Sequence, residues 1–515
     1  MFAYITRRLG MMLLIVFGAS FMAYNLEAIS SNPLAVFAES TAKNKHYLMQ
    51  RMIQDLNLDV PPPIRYFIWL RGIISGLWGD LQLGLTRDNK PVIDAMALAI
   101  PTTFRLVIAS TILAIVLGIT IGMVTAIRQY SRFDYVMTFI SFLLFSLPVF
   151  WVAVLLKQYM AIDFNNFLVK PEIPIPMIIV FALVGGLAMA SIIGGTRVRF
   201  WQTFAGVTVG FALLLGFASM THWFIQPALG MAGVGFLAYV SAVLVTQIST
   251  GLDNRKALTA SLGAATVVTL GYYPLQGIMN AQANFLSVLA IFAITMGLAA
   301  VIGYFVEKID RRVNIRTAVL TALLGTLPLL LDRFMREFHG YMFSDAISGR
   351  PVPTLGQQND LLNQRQLDNF WIYSLDAVMH LVLPTLALTL ISFAGYVRFS
   401  RGSLLEVLNM DYIRTARAKG LTERTVVVRH AMRNALLPLT TILVNDFAGV
   451  IGGAIITERV FGWKGMGQLF NQALTNYDLN LFMGVFMLSA ILTVLANLVA
   501  DLLFGVVDPR IRIRK

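Results

Sequence analysis

The sequence predicts an all-α membrane protein, a polytopic helical bundle of about twelve transmembrane helices. Of its 515 residues, 57% are hydrophobic and only 13% are charged, and the mean hydropathy is +0.72. Many windows therefore reach the roughly 20 apolar residues that cross a bilayer. Because the hydrocarbon core offers no partner for backbone N–H and C=O groups, these windows are expected to form helices rather than open sheets.

Apolar runs place the spans along the chain. Their approximate bounds are 9–29, 103–127, 135–157, 173–194, 201–220, 229–249, 257–275, 285–306, 316–331, 377–397, 436–456 and 482–506. The first run follows Arg7 and Arg8, but it is longer than a signal-peptide core and no small-residue cleavage site follows it. We therefore interpret it as a retained helix.

Basic residues fall on alternate sides of these spans. If the N-terminus is inside, every inner loop is basic. The basic residues of those loops and of the tail, outside segment 411–439, include Arg128, Arg132, Arg197, Arg199, Arg255, Lys256, Lys308, Arg311, Arg312, Arg316, Arg510, Arg512, Arg514 and Lys515. The short outer loops near 221–228 and 276–284 carry no Lys or Arg. This positive-inside pattern predicts that both termini are cytoplasmic.

Composition and motifs exclude several function classes. The net charge of +13 is accounted for by the inner loops, so nucleic-acid binding is not expected. The chain has no Cys, and its five His show no HExxH spacing, which argues against disulfides, thiolate metal sites and a metalloenzyme. No GxxxxGK[ST] phosphate loop occurs. We therefore expect no bound cofactor, and ATP would have to be used by a partner.

The most unusual stretch is DYIRTARAKGLTERTVVVRHAMRNALLPL, residues 411–439, a basic segment between apolar runs. Helical spacing ends at Gly420, and Thr422 is a candidate N-cap for a second helix from Glu423 to about Leu436. The segment thus predicts a helix, a tight turn and a helix, with an exposed tip that another protein can approach closely. The predicted tip consists of Ala416, Ala418, Gly420 and Leu421. An ordinary basic inner loop facing lipid headgroups is the alternative, and the residues alone leave both open.

This stretch resembles the EAA loop of ABC-importer permeases, in the form found in the oligopeptide, dipeptide and nickel permease family. The generic Glu-Ala-Ala is Arg414, Thr415 and Ala416 here, as is usual in the peptide subfamily. Other similar stretches are GDLQLGLT (79–86), FSLPVFW (145–151), MHLVLPTLALTL (379–390), FSRGSLLEVL (399–408), GGAIITERVFGWKGMGQLF (452–470) and LANLVADLLFGVVDPRIR (495–512). The resemblance covers residues 1–160 and 370–515.

The resemblance implies one permease subunit of an ABC importer for peptides or similar solutes in a prokaryotic cytoplasmic membrane. It implies a heterodimer with a second permease, two cytoplasmic ABC ATPase subunits and an extracytoplasmic solute-binding protein. In this family the EAA loop is a coupling helix that docks into the ATPase. The residues implied in that coupling are Arg414, Thr415, Ala416, Arg417, Ala418, Lys419, Gly420, Leu421 and Glu423.

Two further sites are predicted, the first from the same resemblance and the second from the depth of a carboxyl group within a span. An outer gate loop lies within ERVFGWKGMG, where Lys464 replaces a proline that is frequent in the family. Its candidate residues are Glu458, Phe461, Trp463, Gly465 and Gly467. Asn445 and Asp446 are candidates for lining the translocation path. The alternative for Asp446 is a carboxyl group hydrogen-bonded to a neighbouring helix.

The chain departs most from the family between residues 160 and 370, where about six extra spans replace one short outer loop. We predict three parts. Residues 1–159 form the first part of the permease core with three spans and an outer loop, 160–370 form an inserted membrane region, and 371–515 form the second part with three spans, the coupling loop and a cytoplasmic tail. An even number of inserted helices restores the topology of the core.

Two other function classes stay open. A standalone twelve-helix secondary transporter fits the span count, but ion coupling usually employs ionisable residues at mid-membrane. We expect only Asp446 at clear depth, with His380 and Asp501 nearer span ends. A membrane-embedded enzyme would need a cluster of catalytic polar residues. The polar residues of the outer loop 332–376 show no motif for one: His339, Asp345 and Asp360.

Overall fold

The computed structural model describes residues 2–34, 44–280, 282–307, 310–364, 369–436, 438–439, 442 and 454–507. Within these ranges the regular structure is helical, apart from one isolated antiparallel bridge between Leu85 and Pro91. This confirms the predicted all-α class.

Twelve helices are described in the N-terminal half. They are α1 (Phe2–Ser30), α2 (Lys45–Asp55), α3 (Pro62–Ser75), α4 (Val92–Ile127), α5 (Arg132–Ser146), α6 (Val149–Leu156), α7 (Phe164–Val169), α8 (Ile175–Ile193), α9 (Arg197–Met220), α10 (Gly230–Ser249), α11 (Arg255–Leu270) and α12 (Tyr272–Ile278). A 3₁₀ turn, Gly76–Trp78, follows α3, and a π-helical segment, Lys157–Asp163, joins α6 to α7.

Ten more helices are described in the C-terminal half. They are α13 (Phe285–Val306), α14 (Arg311–Met342), α15 (Asp360–Gln364), α16 (Phe370–Leu408), α17 (Asp411–Ala418), α18 (Glu423–Thr425), α19 (Met432–Ala435), α20 (Ile455–Phe461), α21 (Met466–Thr475) and α22 (Leu479–Val507). A π-helical segment, Val426–Ala431, joins α18 to α19.

The helices form two compact units. The first contains residues 1–157, 355–357 and 381–515, and the second contains 158–354 and 358–380. The first unit is thus built from chain segments that are far apart in sequence, and α16 contributes to both. The assignment of 1–159 and 371–515 to a permease core and of 160–370 to an insert stays a prediction.

In the described part of the chain, nine helices are long and apolar enough to cross a membrane. They coincide with nine predicted spans and confirm a multi-pass membrane chain. The predicted span 257–275 corresponds to α11, whose 16 residues reach about 24 Å, short of the roughly 30 Å hydrocarbon core, followed by α12. The predicted span 436–456 lies mostly outside the described residues, so the count of twelve stays a prediction.

The predicted span 135–157 is sharply bent in the structure. It consists of two helical pieces, Arg132–Ser146 and Val149–Val169, which meet at an angle of 104°. Leu147 between them is extended, with φ −85° and ψ 132°. The residue before a proline avoids helical backbone angles, and Pro148 has no N–H to continue the helix. The proline in FSLPVFW therefore explains the break. The apolar run continues across this proline, so hydropathy alone does not indicate the break.

In the first unit, α4 and α16 pack closely through small residues. A Cβ atom on Gly118 would lie 2.5 Å from the Cβ of Tyr396, and one on Gly122 would lie 2.6 Å from the carbonyl oxygen of Val397. Ser400 donates its hydroxyl to the Gly118 carbonyl across the same contact at 3.3 Å. The GxxxG spacing on α4 therefore permits close helix packing within the chain.

Gly122→Ala is expected to lower the thermal stability of the purified chain. The added methyl group would push α4 away from α16, and overpacking of this kind costs about 1–3 kcal/mol. The measurement is the apparent melting temperature in detergent. Gly395→Ala is the control, because no atom lies within 4 Å of a Cβ at that position on α16. Equal melting temperatures for the two variants would contradict the close packing.

In the second unit, small residues bring α10, α11, α13 and α14 together. Ala238, Ala264, Ala299 and Ala322 are fully buried among these helices. A Cβ on Gly303 of α13 would lie 2.7 Å from the Cα of Ile315 on α14. With such small side chains the backbones approach closely, which stabilises helix pairs in lipid through van der Waals contact.

Two carboxylates outside the predicted spans are buried in helices of the second unit. Asp332 in α14 is 0% exposed and Asp376 in α16 is 3% exposed. The predicted span 316–331 stops just before Asp332, whereas α14 continues to Met342.

Both of these buried carboxylates are paired. Asp332 accepts hydrogen bonds from the Leu229 and Gly230 N–H groups at 2.7 and 2.8 Å, from Tyr272 at 2.6 Å and from Arg336 at 2.9 Å. Asp376 accepts from the Tyr341 hydroxyl at 3.0 Å and from the Asn359 N–H at 2.8 Å, and it lies 3.4 Å from His380. Each carboxylate thus ties helices and loops of the second unit together.

Candidate functional site

The first candidate site is the basic helix–turn–helix, residues 411–435. Its first helix is α17, and its second comprises α18, the π-helical segment and α19. Thr422 caps the second helix by accepting a hydrogen bond from the Thr425 N–H at 3.4 Å, and the Val426 N–H bonds to the Thr422 carbonyl at 3.0 Å. The predicted helix, turn, helix and N-cap are confirmed.

Gly420 makes the turn between the two helices. Its φ is +76°, in the left-handed region that side chains with a Cβ avoid. The Gly420 N–H bonds to the Arg417 carbonyl at 2.9 Å, which satisfies one of the free carbonyls at the end of α17. No atom lies within 4 Å of a Cβ at this position. Backbone conformation, rather than space within the chain, is therefore what requires glycine here.

One face of the basic helix–turn–helix packs on the ends of α4 and α16. Ile413, Val426 and Ala431 are fully buried in a cluster that includes Met123 of α4 and Leu404 of α16. Ala416 belongs to the same cluster and is 8% exposed. The prediction that Ala416 lies at the exposed tip is wrong, because it faces the second helix. This cluster joins the basic helix–turn–helix to two long helices.

The opposite face is exposed and carries three basic side chains, those of Arg414, Arg417 and Lys419. Its candidate residues are Arg414, Thr415, Arg417, Ala418, Lys419, Gly420, Leu421 and Glu423. Arg417 holds Glu423 with two hydrogen bonds, of 3.1 and 2.7 Å. This contact across the turn holds the pKa of Glu423 below its usual value. The exposed tip therefore has an apolar side chain, Leu421, next to the small residues Ala418 and Gly420. The charged side chains of Arg417, Lys419 and Glu423 surround it.

The second candidate site is the Glu458 loop, residues 455–468, which contains the predicted gate residues. Glu458 of α20 is 0% exposed. Its carboxylate accepts hydrogen bonds from the Thr103 hydroxyl of α4 at 2.6 Å and from the Gln468 N–H at 2.9 Å, and it also contacts the Gly467 N–H. Burial raises its pKa above the ordinary value. One side chain thus joins α20, α21 and α4.

Two glycines allow this arrangement. A Cβ on Gly465 would lie 2.5 Å from the Thr103 hydroxyl and would overlap the Glu458 carboxylate, and one on Gly467 would lie 2.6 Å from the Cα of Ile455. Phe461 and Trp463 are buried beside them. Lys464, at the position where the family often has proline, is exposed. The loop is fixed by the Glu458 carboxylate and by close backbone contacts.

The loop is also tied to two other segments of the first unit. The Phe461 carbonyl accepts a hydrogen bond from the Gly356 N–H at 2.8 Å. Lys157 donates to the Val460 carbonyl at 3.0 Å, and its ammonium lies 5.8 Å from the centre of the Phe461 ring. Sequence reasoning identified the loop but not Thr103, Lys157 or Gly356, and no local pattern marks these three residues as its partners.

Asn445 and Asp446 lie outside the described residues. Among the described residues, no group of three His, Asp or Glu side chains is arranged to hold a metal ion.

Comparison with known proteins identifies a related segment. Residues 320–513 match the family described as "Binding-protein-dependent transport system inner membrane component". The chain is 48% identical over 141 residues to the dipeptide transport system permease protein DppB of Escherichia coli, which is 27% of this chain and 42% of that protein.

Two further relatives match over similar lengths. The oligopeptide transport system permease protein AppB of Bacillus subtilis is 45% identical over 136 residues, 26% of this chain and 43% of that protein. The protein OppB of Mycobacterium bovis is 40% identical over 138 residues, 27% of this chain and 42% of that protein. The chain spans about two fifths of the length of the curated relatives it matches. The similarity to that family and to these relatives is thus established for the C-terminal part of the chain.

Proposed function

We propose that this chain is one permease subunit of an ATP-driven ABC importer, in which it forms half of the pathway for peptides or similarly sized solutes. The importer would lie in the cytoplasmic membrane of a prokaryote. The relatives named for dipeptide and oligopeptide transport support this solute class. The chain itself would carry out no catalysis.

The observation that carries the proposal is the basic helix–turn–helix. Its turn is exposed, its tip combines Leu421 with Arg417 and Lys419, and its inner face packs on α4 and α16. A surface with a small apolar centre and a charged rim suits docking of another protein. The partner we propose is a cytoplasmic ABC ATPase, whose motion would reach the membrane helices through the cluster around Ile413.

The complex we propose contains this permease, a second permease, two ATPases and an extracytoplasmic solute-binding protein. The Glu458 loop would act as the outer gate, and Asn445 and Asp446 would line the path. Because the solute-binding protein does most of the selecting in such importers, the solute class is taken from the relatives.

The purified chain alone is expected neither to bind nor to hydrolyse ATP, because its sequence carries no phosphate loop. The measurement is photolabelling with an ATP analogue, alone and with the co-purified ATPase subunits. Label should appear on the ATPases only. Specific labelling of this chain by itself, suppressed by excess unlabelled ATP, would contradict the proposed division of labour.

Uptake into vesicles separates this proposal from a standalone secondary transporter. Vesicles containing the whole complex are loaded with ATP or with a non-hydrolysable analogue, and the imported peptide is counted in each. Uptake should require hydrolysable ATP and should persist when ion gradients are collapsed. If this chain alone takes up peptide, and if that uptake depends on an ion gradient and not on ATP, the chain is a secondary transporter instead.

A further inference from the structure

A cavity of about 260 Å³ lies where the ends of two candidate spans meet in the first unit. Its walls come from the last turns of α1, the chain after α1, the chain after α2, the start of α3 and the start of α22. The volume is more than ten times what a single water molecule requires. The cavity is therefore large enough for a polar ligand, and the candidate coupling and gate residues are not among those that line it.

One buried cation faces this cavity. Arg65 of α3 lines it and is only 7% exposed. Its guanidinium interacts with the Tyr24 hydroxyl, but its Nε atom has no hydrogen-bond partner. Among the described residues, no carboxylate forms an ion pair with Arg65. A buried guanidinium is costly unless it is paired, and among the described residues the pairing of Arg65 is incomplete.

Apart from Arg65, the residues that line the cavity are uncharged and include both polar and apolar side chains. Ser31, Asn32 and Asn480 supply hydroxyl and amide groups, and Leu56 and Leu58 supply apolar walls. Arg is the side chain best suited to bind phosphate or carboxylate through two parallel N–H groups. The lining therefore fits a ligand with one compact anionic group.

The position of the cavity indicates where the anion comes from. α1 ends at Ser30 and α22 begins at Leu479, so the cavity lies at the end of two neighbouring spans, where lipid headgroups are found. On the two helices that contribute to its walls, Leu26 and Ile29 of α1 and Phe67 of α3 are at least half exposed. Apolar side chains at that depth contact acyl chains in a bilayer.

We propose that this cavity binds the phosphate of a phospholipid headgroup, with Arg65 as its cationic partner. The acyl chains of the lipid lie along the exposed apolar residues of α1 and α3. The proposal depends on membrane insertion of the chain and is independent of its role in import.

The test measures lipid binding to the purified chain by native mass spectrometry. The chain is delipidated in detergent and titrated with phosphatidylglycerol, with diacylglycerol, which lacks the phosphate, or with inorganic phosphate alone. Arg65→Gln is compared with Arg71→Gln, whose side chain is exposed on the same helix. Equal melting temperatures and elution volumes of the two variants establish that both fold.

Arg65→Gln is expected to weaken phosphatidylglycerol binding by about tenfold or more, the usual effect of losing a hydrogen bond to a charged group. Arg71→Gln should bind as the parent chain does, Arg65→Lys should restore part of the binding, and diacylglycerol should not compete. If Arg65→Gln does not fold, the comparison of phosphatidylglycerol with diacylglycerol on the parent chain decides.

Three results would overturn the proposal. Equal phosphatidylglycerol binding by Arg65→Gln and Arg71→Gln would show that the guanidinium is not involved. Equal binding of diacylglycerol would show that the phosphate is not recognised. Displacement of the lipid by inorganic phosphate, with Arg65-dependent binding of that ion alone, would assign the cavity to soluble phosphate.

Discussion

Gly420→Val is expected to leave the chain inserted and folded, while uptake and co-purification with the ATPases fall by about thirtyfold. The turn holds φ at +76°, and a β-branched residue is strongly disfavoured there. The cost is about 2 kcal/mol or more, which corresponds to a factor of about 30 in an equilibrium constant. Because a Cβ at this position has open space around it, the damage is confined to the turn and to whatever docks on it.

The matched control is Gly402→Val. Gly402 is exposed on α16 near the same end of the first unit, and nothing lies within 4 Å of its Cβ position, but its φ is not positive. It should assemble and transport much as the parent chain does. A Gly420→Val chain that retains its ATPases and imports peptide at the parent rate would remove the basis for the coupling assignment. The segment would then be an ordinary basic loop.

Glu458→Ala is expected to produce the largest loss of stability in the first unit. The substitution leaves the Thr103 hydroxyl and the Gln468 and Gly467 N–H groups without their acceptor in a buried site. Buried groups left unpaired cost about 1–3 kcal/mol each, so a loss of about 3 kcal/mol or more is expected. The apparent melting temperature in detergent measures it. Lys464→Ala, an exposed change in the same loop, should have little effect, and an equal effect of both changes would contradict the role of Glu458.

Glu458→Gln separates the charge of this side chain from its hydrogen bonds. Burial raises the pKa of Glu458 above its ordinary 4.5. The folded chain therefore binds this proton more tightly than the unfolded chain does, and stability falls as pH rises from about 4.5 through the folded pKa. Gln does not titrate, so the melting temperature of the parent chain should fall relative to that of Glu458→Gln as pH is raised from 4 to 7. If the melting temperature of the parent chain instead rises relative to that of Glu458→Gln over this pH range, the raised pKa of the buried carboxylate is contradicted.

Local sequence patterns determined the features that depend on a few neighbouring residues. Apolar runs placed nine of the membrane-spanning helices, because length and hydropathy alone decide whether a helix suits a bilayer. Gly420 and Thr422 marked the end of one short helix and the start of the next, because turn and cap geometry is set by the residues that occupy those positions. The break at Pro148 was equally local, but it lay inside a continuous apolar run.

Only the tertiary structure decided which distant residues meet. Glu458 accepts a hydrogen bond from Thr103, although the two residues are 355 positions apart in the chain. Asp332 accepts hydrogen bonds from N–H groups that lie about 100 positions before it. The same packing turned Ala416 inward and left the guanidinium of Arg65 beside a cavity with no anion among the described residues. A sequence shows which side chains are polar, but the cost of burying them depends on partners that the folded chain supplies. Candidate sites built from such partners therefore become visible only when the helices are packed.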